Sequence, residues 1–165
     1  MDVALNLSVM VEDAAWQPKI TRLKNKIRIA LETAILSQHK LKLRHKAYEI
    51  NIILTNDADM AELNRDHRRK NTPTNVLSFP IDTEPAGPGL PVMLGDIVLA
   101  HGVIDREAKA EKKTFAAHTL HLIVHGALHL CGYDHETSGQ ARTMEGLERQ
   151  ILAGLGIADP YKAYK

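Results

Sequence analysis

The order of apolar and polar residues along the chain predicts four strands. Apolar and polar residues alternate over residues 3–11, which is typical of a half-buried strand, and residues 47–54 (AYEINIIL) predict a second strand. Two further strands are predicted at residues 76–81 and 94–100. Strands and helices follow one another in mixed order, which predicts a single α+β domain over residues 1–165 with a mixed four-stranded sheet.

Apolar residues at helical spacing predict about five helices. The first begins near Pro18 and carries a long apolar stripe, and a short helix follows a cap at Asn56. A polar helix is predicted around residues 106–113 and an apolar helix over residues 114–130. Ser138 is the expected N-cap of the last helix.

The most informative segment is residues 125–135, which read HGALHLCGYDH. His125 and His129 are four residues apart, so their imidazoles share one helix face and can reach one ion. Gly132 can adopt the left-handed conformation that ends a helix, and the turn then returns His135 towards the same point. Three imidazoles with an open fourth position are typical of a catalytic zinc ion.

This spacing is that of the long zinc-peptidase motif H-E-x-x-H-x-x-G-x-x-H, so the helix is zincin-like. The chain departs from the motif at one position, because Gly126 stands where the peptidases have a glutamate general base. A metal site that activates water without that base is therefore predicted. Zinc is the default ion because imidazole and tetrahedral geometry suit it, with nickel, iron and cobalt as alternatives.

Three further residues in or beside the motif are His121, Asp134 and Cys131, and the first two are candidates for supporting roles. His121 lies four residues before His125, but a fourth protein ligand would close the metal site, so we expect His121 to support the site rather than bind the ion. Asp134 is a candidate to orient a ligand imidazole or to act as the base, and its alternative role is to cap the turn. Cys131 is expected to be a packing residue.

A basic cluster at residues 65–70 contains Arg65, Arg68, Arg69 and Lys70. Guanidinium groups bind phosphate through two hydrogen bonds and stabilise negative charge in a transition state. Such a cluster can also be a solvated helix end. Beside a hydrolytic metal site, it favours a phosphodiester substrate.

A second basic run alternates with apolar residues and either widens the positive surface or flanks a strand. Its members are Lys40, Lys42, Arg44 and Lys46.

Composition limits the partners and the compartment. The net charge is +1, so any nucleic-acid site must come from local clustering, and an aromatic content of 4% argues against a broad stacking platform. The single cysteine fits a reducing cytoplasm, and the N-terminus lacks the pattern of a signal peptide. No apolar run approaches the roughly 20 residues that cross a bilayer, so we expect no membrane partner.

Together these motifs resemble the YbeY family of bacterial endoribonucleases. Residues 125–135 match H-G-x-L-H-L-x-G-Y-D-H, and residues 68–79 match R-x-K-x-x-P-T-x-V-L-S-F. Residues 94–97 (LGDI) and 144–148 agree as well, so the resemblance covers roughly residues 50–155.

The resemblance implies a zinc-dependent, single-strand-specific endoribonuclease that acts in maturation of the 3′ end of small-subunit (16S) rRNA and in ribosome quality control. It implies ribosomal proteins and an rRNA-processing GTPase as partners. His125, His129 and His135 would bind one Zn²⁺ ion, with Arg68 and His125 as the catalytic residues. Arg65, Arg69 and Lys70 would contact RNA, and we expect the strand at 94–100 to form one wall of the cleft.

The motifs leave two alternatives. One is a metallopeptidase-like hydrolase, and the other is a zinc-stabilised ribosome assembly factor that binds RNA without cutting it. The sequence also leaves the identity of the nucleophile open, because either water or the RNA 2′-hydroxyl could attack the phosphate.

Overall fold

Four strands form one mixed sheet. They are β1 (Ala4–Val11), β2 (Ala47–Thr55), β3 (Val76–Pro80) and β4 (Val92–Ala100). The spatial order is β1-β2-β4-β3, in which β1, β2 and β4 are parallel and β3 is antiparallel to β4. The computed structural model describes residues 2–162. The predicted mixed four-stranded sheet is confirmed, although β4 begins two residues before the expected start.

Five α-helices connect and cover the strands. They are α1 (Gln17–Ser37), α2 (Asp57–Arg68), α3 (His101–Ala110), α4 (Phe115–Leu130) and α5 (Ser138–Gly154), and a 3-10 turn at Ala14–Trp16 precedes α1. Side-chain caps explain two of the starting points. The Asn56 side chain accepts from the Asp59 amide before α2, and the Thr114 side chain accepts from the Ala117 amide before α4.

Two predicted helix starts are wrong. The polar helix begins at His101 rather than near residue 106, because β4 passes directly into α3 and Ala100 provides no side-chain cap to mark the boundary. The cap of α5 is Thr137, not Ser138. Thr137 Oγ1 accepts from the Gln140 amide at 3.1 Å and the Gln140 side chain accepts from the Thr137 amide at 3.1 Å, which is a capping box.

The main core lies between the sheet and helices α1, α4 and α5. A smaller apolar cluster lies on the other face of the sheet under α2, and its buried members are Met60, Leu77, Val98 and Ala100. The helix that carries the histidine motif is therefore held between the sheet, α1 and α5, which fixes the position of its side chains.

β4 contains one extra residue, and the positions that face the main core change phase there. The pairing between β2 and β4 shifts by one residue after Glu49, beside Gly95, which has φ +148°. Before the shift Val92 and Leu94 are buried in the main core, and after it Ile97 and Leu99 are buried there. Such a bulge changes the phase of the side-chain alternation without breaking the sheet.

Within residues 2–162, none of the helices combines the length and the apolar character needed to cross a membrane.

Candidate metal centre

His125, His129 and His135 come together at the end of α4 and in the turn that follows it. Their potential ligand nitrogens all lie within 4.8 Å of one another. His125 and His129 are four residues apart on the same helix, and their Nε2 atoms are 3.1 Å apart. Gly132 has φ +98°, so the chain leaves the helix in a left-handed conformation and returns His135 to the cluster.

Hydrogen bonds on the far side of two rings set their tautomers. His129 Nδ1 lies 2.9 Å from the carbonyl oxygen of Tyr133, and His125 Nδ1 lies 2.5 Å from Glu148 Oε1. Both partners are acceptors, so we assign the ring protons to Nδ1 in both residues. Two Nε2 lone pairs then face one another, which is an arrangement that a cation between them satisfies.

Burial also favours the neutral form of the His129 imidazole. Burial lowers the pKa of His129 below its usual range, and the neighbouring rings of His125 and His135 lower it further. A neutral imidazole is the form that binds a metal ion.

Glu148 is the residue that connects α5 to the histidine cluster. It is completely buried, and its Oε2 accepts from His121 Nε2 at 3.2 Å and from the hydroxyl of Tyr161. Burial alone would raise the pKa of this carboxyl, but hydrogen bonds from its partners hold the pKa at about 2. A fixed negative charge therefore lies behind the ring of His125.

Tyr161 reaches this carboxylate from the C-terminal segment. Asp159 holds the segment in place, because its side chain pairs with Arg149 at 3.2 Å and accepts from the Tyr161 amide at 2.8 Å. The guanidinium of Arg149 lies 5.2 Å from the centre of the Tyr161 ring. Burial and the adjacent carboxylate raise the pKa of the phenol, so it stays protonated and donates to Glu148.

Gly126 faces the sheet at a point of close contact. A Cβ atom placed there would lie 2.9 Å from Ile97 Cγ2 and 3.0 Å from Ser78 Oγ. The peptidase glutamate therefore has no space at this position. Glycine here lets α4 approach the sheet closely, in addition to removing the base.

The three histidines open into a cleft of about 790 Å³. Arg68, at the end of α2, lies in the same cleft. The buried side chain of Asn64 donates to the carbonyl oxygen of Thr72 at 2.7 Å, which ties the loop after α2 back onto the helix. The guanidinium and the candidate metal ligands, which are distant in sequence, thus share one opening.

The expected role of the strand at 94–100 is corrected by the structure. The wall of the cleft comes from β3 and the residues before it, with Thr74 to Ser78 and Pro80 in the lining. β3 is at the edge of the sheet, whereas β4 lies inside it, where α4 covers it at Gly126 and Ile97.

The remaining predicted residues lie around the cleft. Arg65, Arg69 and Lys70 are exposed beside Arg68 but do not line the cleft. Asp134 lines it, and its Oδ1 accepts from the His135 amide at 2.8 Å instead of from an imidazole. Cys131 is buried, and burial raises the pKa of its thiol to about 12, so it is a packing residue.

His121 lies beside the carboxylate of Glu148 that contacts His125. It contacts Glu148 and is not part of the three-histidine group. Within residues 2–162, no fourth histidine, cysteine or carboxylate joins that group. The group can therefore hold a metal ion and leave a position open to the cleft.

Sequence reasoning missed the roles of Glu148 and Tyr161. A signal for Glu148 was present, because it falls on the apolar stripe of α5 between Met144 and Ile151, where a charged residue needs a buried partner. Tyr161 had no comparable signal.

The chain is similar to known proteins over most of its length. A family model described as Endoribonuclease YbeY matches residues 10–156. The chain belongs to the YbeY family. An Endoribonuclease YbeY of Azorhizobium caulinodans is 46% identical over 95% of this chain and 96% of the relative, and one of Rhizobium etli is 41% identical over 96% and 94%.

A third YbeY relative, from Nitrobacter winogradskyi, is 57% identical over 68% of this chain, and the match spans 61% of that relative. A solution structure of a Thermotoga maritima protein resembles the chain with a TM-score of 0.52 and 23% identity, over 95% of this chain and 99% of that one. This last likeness supports the fold alone, and it agrees with the α+β architecture described above.

Proposed function

We propose that the chain is a metal-dependent endoribonuclease that cuts single-stranded RNA and acts in maturation of the 3′ end of small-subunit rRNA and in ribosome quality control. The observation that carries the proposal is the cleft in which three histidines and Arg68 meet. Membership of the YbeY family, whose curated relatives carry the name endoribonuclease, supports it.

The metal ion is proposed to be one Zn²⁺ held by His125, His129 and His135. All three donors are imidazoles, a ligand type that suits zinc. When bound, the ion would supply Lewis acidity, which makes water more acidic and neutralises charge on a phosphate oxygen. The Glu148 carboxylate and the Tyr133 carbonyl bind Nδ1 of His125 and His129, so that Nε2 of both rings would be free to hold the ion.

Arg68 is proposed to bind the phosphate that is cut. Its guanidinium forms no ion pair within 4.0 Å in residues 2–162, so its donors are free for a phosphate. There it would hold the phosphodiester beside the three histidines and stabilise the negative charge that develops. His125 would share in catalysis as the ligand that Glu148 orients.

The nucleophile is proposed to be either water or the RNA 2′-hydroxyl. Asp134 and His121 are the candidates for a supporting base, and Asp134 is the one that lines the cleft. The two routes leave different products, because attack by the 2′-hydroxyl gives a 2′,3′-cyclic phosphate end.

Around the cleft, Arg65, Arg69 and Lys70 are proposed to extend the contact with RNA phosphates. Ribosomal proteins and an rRNA-processing GTPase are the proposed partners, and the cytoplasm is the proposed compartment.

The two alternatives receive less support. A metallopeptidase needs a base at position 126, where the sheet leaves no room for a side chain. A non-catalytic assembly factor would use the metal only for stability, and the opening of the three-histidine group into a large cleft favours chemistry instead.

The test compares His129→Ala and Arg68→Glu with the wild type. Metal content is measured by mass spectrometry, and cleavage is measured on a single-stranded RNA oligonucleotide and on casein. We expect His129→Ala to lose the metal and at least about 100-fold of the RNA cleavage while keeping its fold. Arg68→Glu should keep the metal and lose cleavage.

His67→Ala is the matched control, because His67 is exposed beside Phe79 and lies outside the three-histidine group. Cleavage of casein without cleavage of RNA would favour the peptidase. Unfolding of His129→Ala, together with no cleavage by the metal-loaded wild type, would favour the assembly factor.

A further inference from the structure

The segment between α1 and β2 presents a row of basic side chains. Exposure alternates along it, because Leu41 and Leu43 pack against the main core. The basic residues before, between and after them face solvent. We call these four residues the basic ridge: Lys40, Lys42, Arg44 and Lys46.

The backbone under the basic ridge is held by hydrogen bonds. Gln38 is buried, its Nε2 donates to the Leu41 carbonyl at 2.8 Å, and its Oε1 accepts from the Leu41 amide at 2.7 Å. At the other end, the His45 amide donates to the Tyr48 hydroxyl at 3.1 Å. The row is therefore fixed to the core at both ends.

The positive charge of the basic ridge is not neutralised locally. Residues 38–46 contain no Asp or Glu. Within residues 2–162, none of the four side chains forms an ion pair within 4.0 Å, although the neighbouring His45 pairs with Glu84 at 2.9 Å. Exposed cations without partners are the usual surface for binding a polyanion.

The basic ridge is continuous with the cleft through Tyr133. The Tyr133 hydroxyl accepts from the His39 amide at 3.0 Å, and Lys40 Nζ lies 5.6 Å from the centre of the Tyr133 ring. A second cavity of about 500 Å³ is lined by His39 and Lys40 and shares Tyr133 and Asp134 with the cleft. The ridge thus adjoins the cleft at the turn after α4, whereas Arg68 reaches it from α2.

We propose that the basic ridge binds the sugar-phosphate backbone of the single-stranded RNA after it passes the histidines and crosses Tyr133. This inference rests on the proposed function, because it concerns the path of the same substrate. Asp134 is the acidic residue at the junction, so the phosphate contacts begin beyond it, at Lys40. The consequence is that a longer RNA gains contacts that a very short RNA cannot make.

The test measures RNA binding separately from cleavage. Fluorescein-labelled oligouridines of four and twelve nucleotides are titrated with full-length protein in excess chelator, so that no cutting occurs. The variant is Lys40→Glu with Lys42→Glu. The control is Lys24→Glu with Lys26→Glu, which makes the same charge change on α1; Lys26 lies beside Thr114 at the start of α4, about 16 Å along that helix from His125.

We expect the Lys40/Lys42 variant to bind the twelve-nucleotide RNA at least tenfold more weakly than the wild type and the four-nucleotide RNA within about twofold. The slope of log affinity against log salt for the longer RNA should fall by about 1.4, because each single-strand phosphate contact contributes about 0.7. The Lys24/Lys26 control should stay within about threefold on both RNAs. Circular dichroism should show that both variants are folded.

Equal losses in the two variants, or an unchanged salt slope in the Lys40/Lys42 variant, would overturn the inference. This binding test is independent of the proposed function, which is tested by RNA cleavage with the metal-loaded wild type. If the wild type cuts RNA and the Lys40/Lys42 variant binds the twelve-nucleotide RNA with wild-type affinity, only the path over the basic ridge is wrong. If the wild type binds RNA through the ridge and never cuts it, the endoribonuclease proposal fails and the ridge stands.

Discussion

Glu148 Oε1 lies 2.5 Å from His125 Nδ1, and the other oxygen of the same carboxylate meets His121 and Tyr161. One fully buried charge on α5 therefore supports the first candidate metal ligand on α4. The ring of His125 is held from behind by a group that is itself held by two further donors. Metal affinity should depend on this chain of contacts and not on the three ligands alone.

Replacing the carboxylate should weaken metal binding without removing any ligand. In Glu148→Gln the side chain keeps its shape, but the negative charge behind His125 is lost, and we expect zinc affinity to fall roughly 10–100-fold. Affinity is measured by competition with a chromophoric chelator. Glu145→Gln is the control, since Glu145 is three residues away and pairs with Arg149 on the surface. Wild-type affinity in Glu148→Gln would show that the carboxylate does not support the site.

Removing one hydroxyl should have a smaller effect of the same kind. Tyr161→Phe deletes the donor to Glu148 Oε2 but keeps the ring beside Arg149. We expect zinc affinity to fall by a few fold, less than in Glu148→Gln, because His121 still donates to the same oxygen. The same chelator competition ranks the two variants, and an effect of Tyr161→Phe larger than that of Glu148→Gln would contradict this order.

A methyl group at position 126 should destabilise the fold. In Gly126→Ala the added Cβ would lie 2.9 Å from Ile97 Cγ2, and Ile97 is completely buried, so α4 must shift from the sheet. We expect a loss of about 1–3 kcal/mol in the free energy of unfolding, measured by urea denaturation of the metal-free protein.

Gly146→Ala is the matched control for this substitution. Gly146 is exposed inside α5, and an added Cβ would meet nothing within 4 Å. Because alanine favours helix, we expect it to stabilise the protein by up to about 1 kcal/mol. Equal effects of the two substitutions would show that the contact at Gly126 is not tight.

The metal-free protein should lose stability as the pH falls below about 6.5, the ordinary pKa of histidine. Burial lowers the pKa of His129 in the folded state, so between the ordinary value and the lowered one the unfolded chain binds more protons. The contribution is present above the unfolded pKa and is lost as the pH falls through the folded pKa.

Urea midpoints between pH 7.5 and 5, in excess chelator, measure this dependence. His129→Gln removes the titrating ring, so its midpoint should fall less steeply over the same range. Parallel curves for wild type and variant would assign the pH dependence to other groups.

The sequence was sufficient for the parts of the fold that follow from local patterns. Strand-like apolar stretches identified the four strands, helical spacing identified five helices, and the spacing of His125, His129 and His135 predicted that they lie together. Each of these signals depends on residues close in sequence, and the structure confirms the sheet and the helices.

The parts that the sequence did not reveal depend on contacts between distant segments. Nothing local shows that Tyr161 lies against Glu148, thirteen residues away, or that β3 rather than β4 lines the cleft. The start of α3 was misplaced for a different reason, because Ala100 and His101 carry no helix-start signal where β4 ends.

The irregularity beside Gly95 has a consequence for how this chain can change. Because β4 has one extra residue at this point, deletion of Gly95 would leave a regular alternation in which Val92, Leu94, Ile97 and Leu99 still face the main core. Deletion of Val98, in contrast, would turn Leu99 towards α2 and Ala100 towards the main core. The irregularity is therefore the place where β4 can lose a residue without exchanging its two faces.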